Sequence, residues 1–139
     1  MSTRRFAFVA LFALIVIAGG WALLRMNSHA PATSAVSMPT CPLATLPTEV
    51  ADTVRAIHSS GPFPFPRNDG VVFGNRERHL PNRAKGYYHE YTVISPGVGN
   101  RSTRRIVTGG LPLTSPPQYF YTADHYDSFC LVADADRQR

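Results

Sequence analysis

Polar side chains with complementary chemistry interrupt the apolar runs in the second half of the chain. Glu90 lies in an aromatic and β-branched run, where a carboxylate is costly to bury unless it is paired, so a cation should face it. Arg101 and Arg105 lie in the next segment, and His125 with Tyr126 precedes the last apolar run. Together they offer a base, an acid and two anion-binding guanidiniums, the groups that metal-free phosphodiester chemistry requires.

Each of these residues also has a plainer interpretation. Glu90 facing an arginine is commonly a structural salt bridge, and a single His125 in a turn is commonly just exposed. His58, at the end of a predicted helix, is expected to be solvated and favoured there by the helix dipole. The other histidines are not spaced with cysteines or acids as metal ligands are, so neither a metal nor another cofactor is predicted.

Sequence periodicity predicts the elements that must position these groups. Val50, Val54 and Ile57 recur at helical spacing after Pro47, which predicts a helix of about three turns that ends at 59–62. Downstream, β-branched and aromatic runs separated by turn residues predict about five short strands. These runs are Val71–Phe73, Tyr87–Ile94, Arg105–Thr108, Gln118–Thr122 and Ser128–Val132. The predicted fold class is α+β: one N-terminal helix packed on a twisted antiparallel sheet of about five strands, with the other sheet face free for a site.

Composition and charge exclude several classes of protein. The 139 residues include 12 prolines and 10 glycines with only 17% charged residues, which argues against a coiled coil or a long helical bundle. Nothing repeats at the period of a solenoid. The net charge is +5, but from residue 31 onward eleven Lys and Arg face nine Asp and Glu. That excess is too small to indicate nucleic-acid binding from net charge alone.

The N-terminus carries an apolar segment that addresses the chain to a membrane. Phe6 to Leu24 is uncharged and lies between Arg5 and Arg25, which is long enough for a bilayer span. Both a cleaved signal and a retained anchor are compatible with it. We therefore divide the chain into a signal peptide or membrane anchor (1–29), a Pro/Ala/Ser/Thr-rich linker (30–40) and a globular domain (41–139). The domain is expected to be secreted, extracellular or periplasmic, and to be tethered to the membrane if the anchor is retained.

Two cysteines lie near the two ends of the domain. Cys41 and Cys130 in an exported chain favour one disulfide that joins these ends. Two unpaired thiols or an intermolecular bridge remain alternatives.

A family resemblance extends over nearly the whole domain, from Cys41 to Val132. It rests on five segments in order: GVVFGNRE (70–77), LP (80–81), GYYHEYTVI (86–94), RSTRRIVTG (101–109) and DHY (124–126). In these segments the chain resembles the small secreted guanyl-specific ribonucleases, nearest the ribonuclease Sa and barnase type. Two departures are Gly74, where the Sa type carries a larger polar side chain, and Cys130, which lies on the last strand where relatives place the cysteine at the C-terminus.

The resemblance implies roles for the catalytic candidates. Glu90 would be the general base on the ribose 2′-OH, and His125 the general acid on the leaving 5′-oxygen. Arg101 and Arg105 would hold the phosphate, and strand alternation favours Arg105 over Arg104 for that role. The implied activity is cleavage of single-stranded RNA 3′ of guanosine through a 2′,3′-cyclic phosphate, followed by hydrolysis to a 3′-phosphate.

The resemblance also implies a guanine-binding loop. The Glu77 carboxylate would accept from N1–H and the N2 amine of guanine, while backbone N–H groups around Gly74 to Arg76, including Asn75, would meet O6. Phe73 and Tyr126 would offer stacking surface, and Tyr126 would also reach the phosphate. Phe73 as a plain core aromatic remains an alternative, and Arg76 could either orient Glu77 or contact phosphate.

Partners and competing functions follow from the same comparison. By analogy, an acidic inhibitor of the barstar kind is expected to bind the basic surface of Arg76, Arg101 and Arg105, and the enzyme is expected to be a monomer that meets a membrane only through its N-terminal segment. The alternatives are a catalytically silent RNA- or protein-binding module on the same fold, and an envelope protein whose apolar segment is its working part.

Overall fold

The computed structural model describes residues 37–138. The predicted signal peptide or anchor and most of the predicted linker lie outside the described residues. Within the described range, no helix has both the length and the apolar character needed to cross a bilayer.

One α-helix, α1 (Thr48–His58), follows a short 3₁₀ turn at Leu43–Thr45. Pro47 precedes its first turn, where its fixed φ is compatible with a helix start, and the carbonyl of Pro47 accepts the N–H of Val50 at 2.9 Å. The buried face carries the apolar positions at helical spacing, Val50, Val54 and Ile57. The helix ends at His58 with Ser59 as its C-cap, and Ser60 and Gly61 then take positive φ values of 60° and 104°, which turn the chain out of the helix.

Five strands form one antiparallel sheet in the order in which they occur in the chain. They are β1 (Val71–Val72), β2 (Tyr88–Thr92), β3 (Arg105–Gly109), β4 (Gln118–Thr122) and β5 (Cys130–Leu131). A second 3₁₀ turn, Ala135–Gln138, follows β5 and packs on α1. The predicted α+β class is confirmed, although the first, second and fifth strands are shorter than their apolar runs.

Side-chain alternation divides the core between the two faces of the sheet. On the helix face, Tyr91, Ile106 and Tyr119 pack with the apolar positions of α1. On the opposite face, Tyr88 and Val107 pack in a second cluster to which β4 and the loops also contribute side chains. Glu90 shares the second face with Tyr88, because residues two apart on a strand point the same way. The face without the helix is therefore the one that carries the candidate site.

The two ends of the domain are joined beside β5. Cys41 and Cys130 form a disulfide with a Cα–Cα distance of 5.7 Å, which confirms the predicted pairing. Next to it, the Cys41 N–H donates to the carbonyl of Leu131 at 2.9 Å, and the Leu131 N–H donates to the carbonyl of Pro39 at 2.8 Å. The last residues of the predicted linker thus pair with the sheet.

His58 differs from its sequence-based expectation. Its side chain is half-buried, and its Nε2 lies 2.8 Å from the Tyr119 hydroxyl on β4. The prediction of a solvated histidine was wrong because the end of α1 packs against the sheet, which the helical pattern alone does not reveal.

Candidate active site

Glu90 occupies the centre of the open sheet face. On β2 it pairs with Val71 of β1 and Val107 of β3, and its side chain is only 14% exposed. The Tyr126 hydroxyl donates a hydrogen bond to Oε2, and Arg101 Nη2 lies 3.5 Å from Oε1. A cation therefore faces this carboxylate, as the sequence predicts, and the neutral Tyr126 hydroxyl donates to the second carboxylate oxygen.

Arg101 is held by the strand next to it. Its Nε donates to the hydroxyl of Thr92 at 2.8 Å, which leaves the outer guanidinium nitrogens directed toward Glu90. The following Ser102 fixes the loop, because its hydroxyl donates to the carbonyl of Val93 at 3.1 Å. Two residues that the sequence did not single out thus set the position of this guanidinium.

Arg105 is buried at the start of β3, with 3% exposure. Its Nη1 donates to the backbone carbonyls of Ser102 and Arg104, the latter at 2.7 Å, while its Nε is buried without a hydrogen-bond partner. A buried, unused donor on a fixed cation suits an anion. Arg104 acts electrostatically on Tyr121, a residue of the helix-face cluster, so the predicted choice of Arg105 agrees with the strand alternation.

The turn between β4 and β5 carries His125 and Tyr126 in an uncommon backbone conformation. Their φ values are 59° and 79°, in the left-handed region that side chains rarely adopt. Asp124 stabilises this turn: it accepts the Ser128 N–H at 2.9 Å and the Thr122 hydroxyl at 2.8 Å. The hydrogen bonds from Ser128 and then Thr122 lower the pKa of Asp124 to about 2, so its carboxylate stays charged at neutral pH.

Tyr126 links the imidazole to the carboxylate. Burial, reinforced by the hydrogen bond to Glu90, raises the pKa of Tyr126 to about 12, so its phenol remains a donor at neutral pH. The exposed His125 ring lies with its centroid 4.8 Å from the Tyr126 ring. Nearby, the His125 N–H donates to the carbonyl of Thr103 at 3.1 Å, which joins this turn to the loop that carries Arg101.

The loop after β1 contains the predicted base-binding residues. Asn75 has a positive φ of 45°, and its side-chain amide donates to the Leu80 carbonyl at 2.9 Å and accepts the Leu80 N–H at 3.1 Å. Asn75 therefore closes the loop with its side chain and has only its backbone left for a base. Arg76 and Glu77 are exposed, and neither takes part in an ion pair within residues 37–138, so Arg76 does not orient Glu77 by a salt bridge here.

Aromatic rings line the site between this loop and the catalytic groups. The rings of Phe73 and Tyr126 are in contact, with centroids 4.8 Å apart and planes tilted by 32°, and Phe129 packs beneath at 6.1 Å from Phe73. There is no room for a base between the first two rings, so a base would stack on their outer surface or part them. Phe73 is compatible with both of its predicted roles, a stacking surface and a core aromatic, because it is half-buried against the core and faces the site.

Gly74 leaves space beside the loop. A Cβ at this position would meet only the Arg76 side chain, at 3.7 Å and beyond. A larger residue would therefore fit at this position, and the backbone conformation does not require a glycine.

Among the described residues, no group of three His, Cys, Asp or Glu side chains is arranged to hold a metal ion. The ionisable groups of the site are a carboxylate, two guanidiniums and an imidazole on one face. This set can accept a proton, donate a proton and stabilise a developing anion.

Comparison with known proteins gives the family. Residues 29–133 match the sequence model of the ribonuclease family. The chain is 52% identical over 90 residues to guanyl-specific ribonuclease Sa from Kitasatospora aureofaciens, an alignment that covers 65% of this chain and 88% of the relative. It is 51% identical over 90 residues to guanyl-specific ribonuclease St from Saccharopolyspora erythraea, which covers 65% and 83%. The chain belongs to the ribonuclease family.

Solved structures agree with this assignment. Ribonuclease Sa2 in complexes with mononucleotides superposes with a TM-score of 0.62 at 40% identity, over 69% of this chain and 94% of that one. Ribonuclease Sa2 with guanosine-2′-cyclophosphate gives 0.61 at 41% identity, over 69% and 96%. This ribonuclease therefore shares its fold and a large part of its sequence with nucleotide-binding relatives.

Several positioning residues of this ribonuclease are absent from the sequence-based predictions. Thr92 holds Arg101, the Thr103 carbonyl accepts the N–H of His125, and Asp124 holds the turn with His125 and Tyr126. Buried Asp69 accepts the Thr92 N–H at 2.7 Å and the Phe65 N–H at 3.0 Å, which ties the loop before β1 to β2. An Asp or Thr beside a turn is a signal for such a role, but the sequence does not say which backbone group it meets.

Proposed function

We propose that this ribonuclease is an endoribonuclease that cleaves single-stranded RNA 3′ of guanosine. The observation that carries the proposal is the largely buried Glu90 carboxylate, 14% exposed, which lies between the Tyr126 hydroxyl and Arg101 on the same face as Arg105 and His125. The relatives named guanyl-specific ribonucleases support the choice of base.

The first step is an internal transesterification. Glu90 accepts the proton of the ribose 2′-OH, and the 2′-oxygen attacks the adjacent phosphorus. His125 donates a proton to the 5′-oxygen as the P–O5′ bond breaks. Because the nucleophile belongs to the substrate, proximity and proton transfer supply much of the rate, and DNA, which lacks the 2′-OH, should not be cut.

The second step releases the product. The first product is a 2′,3′-cyclic guanosine phosphate end, and the two residues then exchange roles. His125 accepts a proton from water as the water oxygen attacks the phosphorus. Glu90 gives a proton to the 2′-oxygen as the P–O2′ bond breaks, which leaves a 3′-phosphate.

Positive charge on the site face stabilises the pentacoordinate phosphorus that forms in both steps. Arg105 is fixed by two backbone carbonyls, so its positive charge is held in place and needs little reorganisation to stabilise the phosphate. Arg101 contacts the general base at 3.5 Å in the free protein and can exchange this loose pair for phosphate oxygens. Tyr126 can donate its hydrogen bond to either the base or the phosphate.

Guanine selection rests on the loop after β1. The exposed Glu77 carboxylate can accept from N1–H and the N2 amine, a pair of adjacent donors that adenine lacks. The Asn75 side chain holds the loop in shape, which presents the backbone N–H groups to O6. The outer surface of Phe73 and Tyr126 offers the base a stacking platform.

The test uses the purified domain with EDTA present and short RNAs that contain a single G, A, C or U, together with the matching DNA. We expect cleavage only 3′ of G, with a cyclic phosphate end and no cleavage of DNA. Glu90→Gln should lower kcat/KM by about 10²- to 10⁴-fold, whereas the helix-face control Glu49→Gln should not change it. A folded domain that cuts none of the RNAs would instead be a silent binding module.

Location and partners are part of the same proposal. The uncharged run from Phe6 to Leu24 supports export from the cytoplasm, with a cleaved signal or a retained anchor, and cell fractionation with N-terminal sequencing tests this. We propose that the enzyme is a monomer and that it binds an acidic protein inhibitor. Since Arg105 is buried, that inhibitor would contact Arg76 and Arg101, and absence of binding at micromolar concentration would reject it without affecting the enzyme.

A further inference from the structure

A basic pocket lies beside the guanine-binding loop, on the side away from the catalytic arginines. Its volume is about 180 Å³. Its lining includes Gly74 and Asn75 of the guanine-binding loop and Tyr88 of β2, and Arg83 and Lys85 provide its charged groups. We refer to it as the Arg83–Lys85 pocket. None of these charged groups has a role in the reaction described above.

The two cations have no acidic partner. The two ion pairs within residues 37–138 are Arg55 with Asp52 and Arg101 with Glu90. Glu77 is the single acidic residue between positions 70 and 89, and it belongs to the base-binding loop. A concave surface with two unpaired cations attracts an anion.

Arg83 is partly ordered in advance. Its guanidinium carbon lies 5.3 Å from the centroid of the Tyr87 ring, a cation–π distance. Burial raises the pKa of Tyr88, and the adjacent charge of Arg83 opposes that rise, so the guanidinium also lies near the Tyr88 hydroxyl. That hydroxyl donates to the Pro81 carbonyl at 2.8 Å, which fixes the loop before Arg83. Such order lowers the entropy lost when an anion binds.

The size of the pocket indicates which part of a nucleic acid fits. Pockets for a whole drug-sized ligand measure about 300–1,000 Å³, so about 180 Å³ is too small for a base with its ribose. A phosphate group is small, and arginine and lysine are its usual partners. The ligand chemistry is therefore a phosphodiester of the bound strand.

The place of the pocket along β2 indicates which phosphodiester. Tyr88 precedes Glu90 by two residues, about 7 Å along the strand. Thr92, which holds Arg101, lies on the other side of Glu90, and the loop beyond it reaches His125 through Thr103. His125 protonates the leaving 5′-oxygen, so the leaving nucleotide departs at that end. The pocket lies at the opposite end, where the part of the RNA strand on the 5′ side of the guanosine would bind.

We propose that the Arg83–Lys85 pocket binds the phosphate on the 5′ side of the guanosine that is cleaved, an assignment that rests on the proposed function. The enzyme then favours an internal guanosine over one at a 5′ end. The test measures kcat/KM for GpU, UpGpU and GpUpU with the wild type, with Arg83→Ala/Lys85→Ala, and with Arg55→Ala/Arg137→Ala. The last variant removes the same charge from residues on the helix side of the sheet.

The expected result separates the 5′ extension from the 3′ extension. The wild type and the control should cleave UpGpU about tenfold faster than GpU, and the pocket variant should lose this advantage while its rate on GpU stays unchanged. An equal advantage in all three proteins overturns the proposal. Loss of an advantage of GpUpU alone assigns the pocket to the leaving strand and also overturns it.

A binding measurement distinguishes this result from a failure of the proposed function. Oligonucleotides with 2′-deoxyguanosine in place of guanosine lack the nucleophile, so their binding does not depend on catalysis. The pocket variant should bind UpdGpU about tenfold more weakly than the wild type and dGpU equally well. Equal affinities for UpdGpU overturn the pocket assignment even in an active enzyme. A loss of affinity in a protein that cleaves no RNA keeps the pocket and rejects the proposed reaction.

Discussion

Glu90 and Tyr126 form the central contact of the site. Their hydrogen bond couples a carboxylate, which must accept a proton in the reaction, to a phenol that burial and this same carboxylate keep protonated. The donor is neutral, so it stabilises the carboxylate without adding a second charge beside Arg101. Tyr126 therefore positions the Glu90 carboxylate.

Removal of the Tyr126 hydroxyl should change how stability depends on pH. The pKa of Tyr126 is about 12 in the folded protein and near the ordinary 10.0 in the unfolded chain. Its contribution to stability is complete below about pH 10 and is lost as pH rises toward 12, because the unfolded chain releases the proton first. Urea unfolding at pH 9 and 11 should show a larger loss in the wild type than in Tyr126→Phe.

The range from pH 7 to 9 provides the internal control for that experiment. The wild-type phenol at position 126 does not titrate in this range, and the phenylalanine of the variant has no titrating group, so the two proteins should keep a constant difference in unfolding free energy. A constant difference that extends to pH 11 would show that Tyr126 has an ordinary pKa.

At the residue scale the sequence indicates types of chemistry better than contacts. It predicts a cation opposite Glu90, because a carboxylate in an apolar strand needs one, and Arg101 lies there. It does not predict that the Asn75 amide is used on Leu80, or that Arg105 is too buried to face a protein partner. Those contacts depend on loops that fold back over the sheet, and residue periodicity does not predict the conformation of a loop.

At the scale of elements, one short turn determines the position of two functional side chains. His125 and Tyr126 both have left-handed φ values, and hydrogen bonds to Asp124 from both ends of the turn hold this conformation. The period-two patterns predict the flanking strands β4 and β5 but contain no information on the turn between them. An Asp before a turn indicates an Asx-type contact, which is how this element could have been anticipated.

Asp124→Ala should lower activity through the turn. Without its acceptor the strained backbone can relax, which displaces the imidazole from the leaving oxygen, and we expect kcat on GpU to fall about tenfold or more with a smaller change in KM. Asp127→Ala is the matched control, since it removes an exposed carboxylate from the same turn. Steady-state kinetics of the two variants decide the matter, and equal kcat values would mean that Asp124 does not position the turn.

At the scale of the whole molecule, the sheet separates stabilising contacts from the site. The helix and the disulfide pack on one face, and the residues of the candidate site lie on the other. This division is what the sequence predicts best, because amphipathic spacing in α1 and alternation in the strands specify which side chains are buried. The exact strand lengths are less predictable, since β5 ends where Cys41 and Thr40 pair with Leu131, a contact between the two ends of the domain.

Loss of the disulfide should therefore reduce stability without altering catalysis. The bridge joins residues 89 positions apart, for which the chain-entropy model gives a contribution of about 4 to 5 kcal/mol. Cys41→Ser/Cys130→Ser should unfold at lower urea concentration, yet keep the wild-type kcat/KM at 25 °C in the absence of urea. A reductant should shift the unfolding midpoint of the wild type and leave that of the double variant unchanged. If kcat/KM falls while the variant is still folded, strain in β5 reaches His125 and Tyr126 through Phe129, and the two faces are not independent.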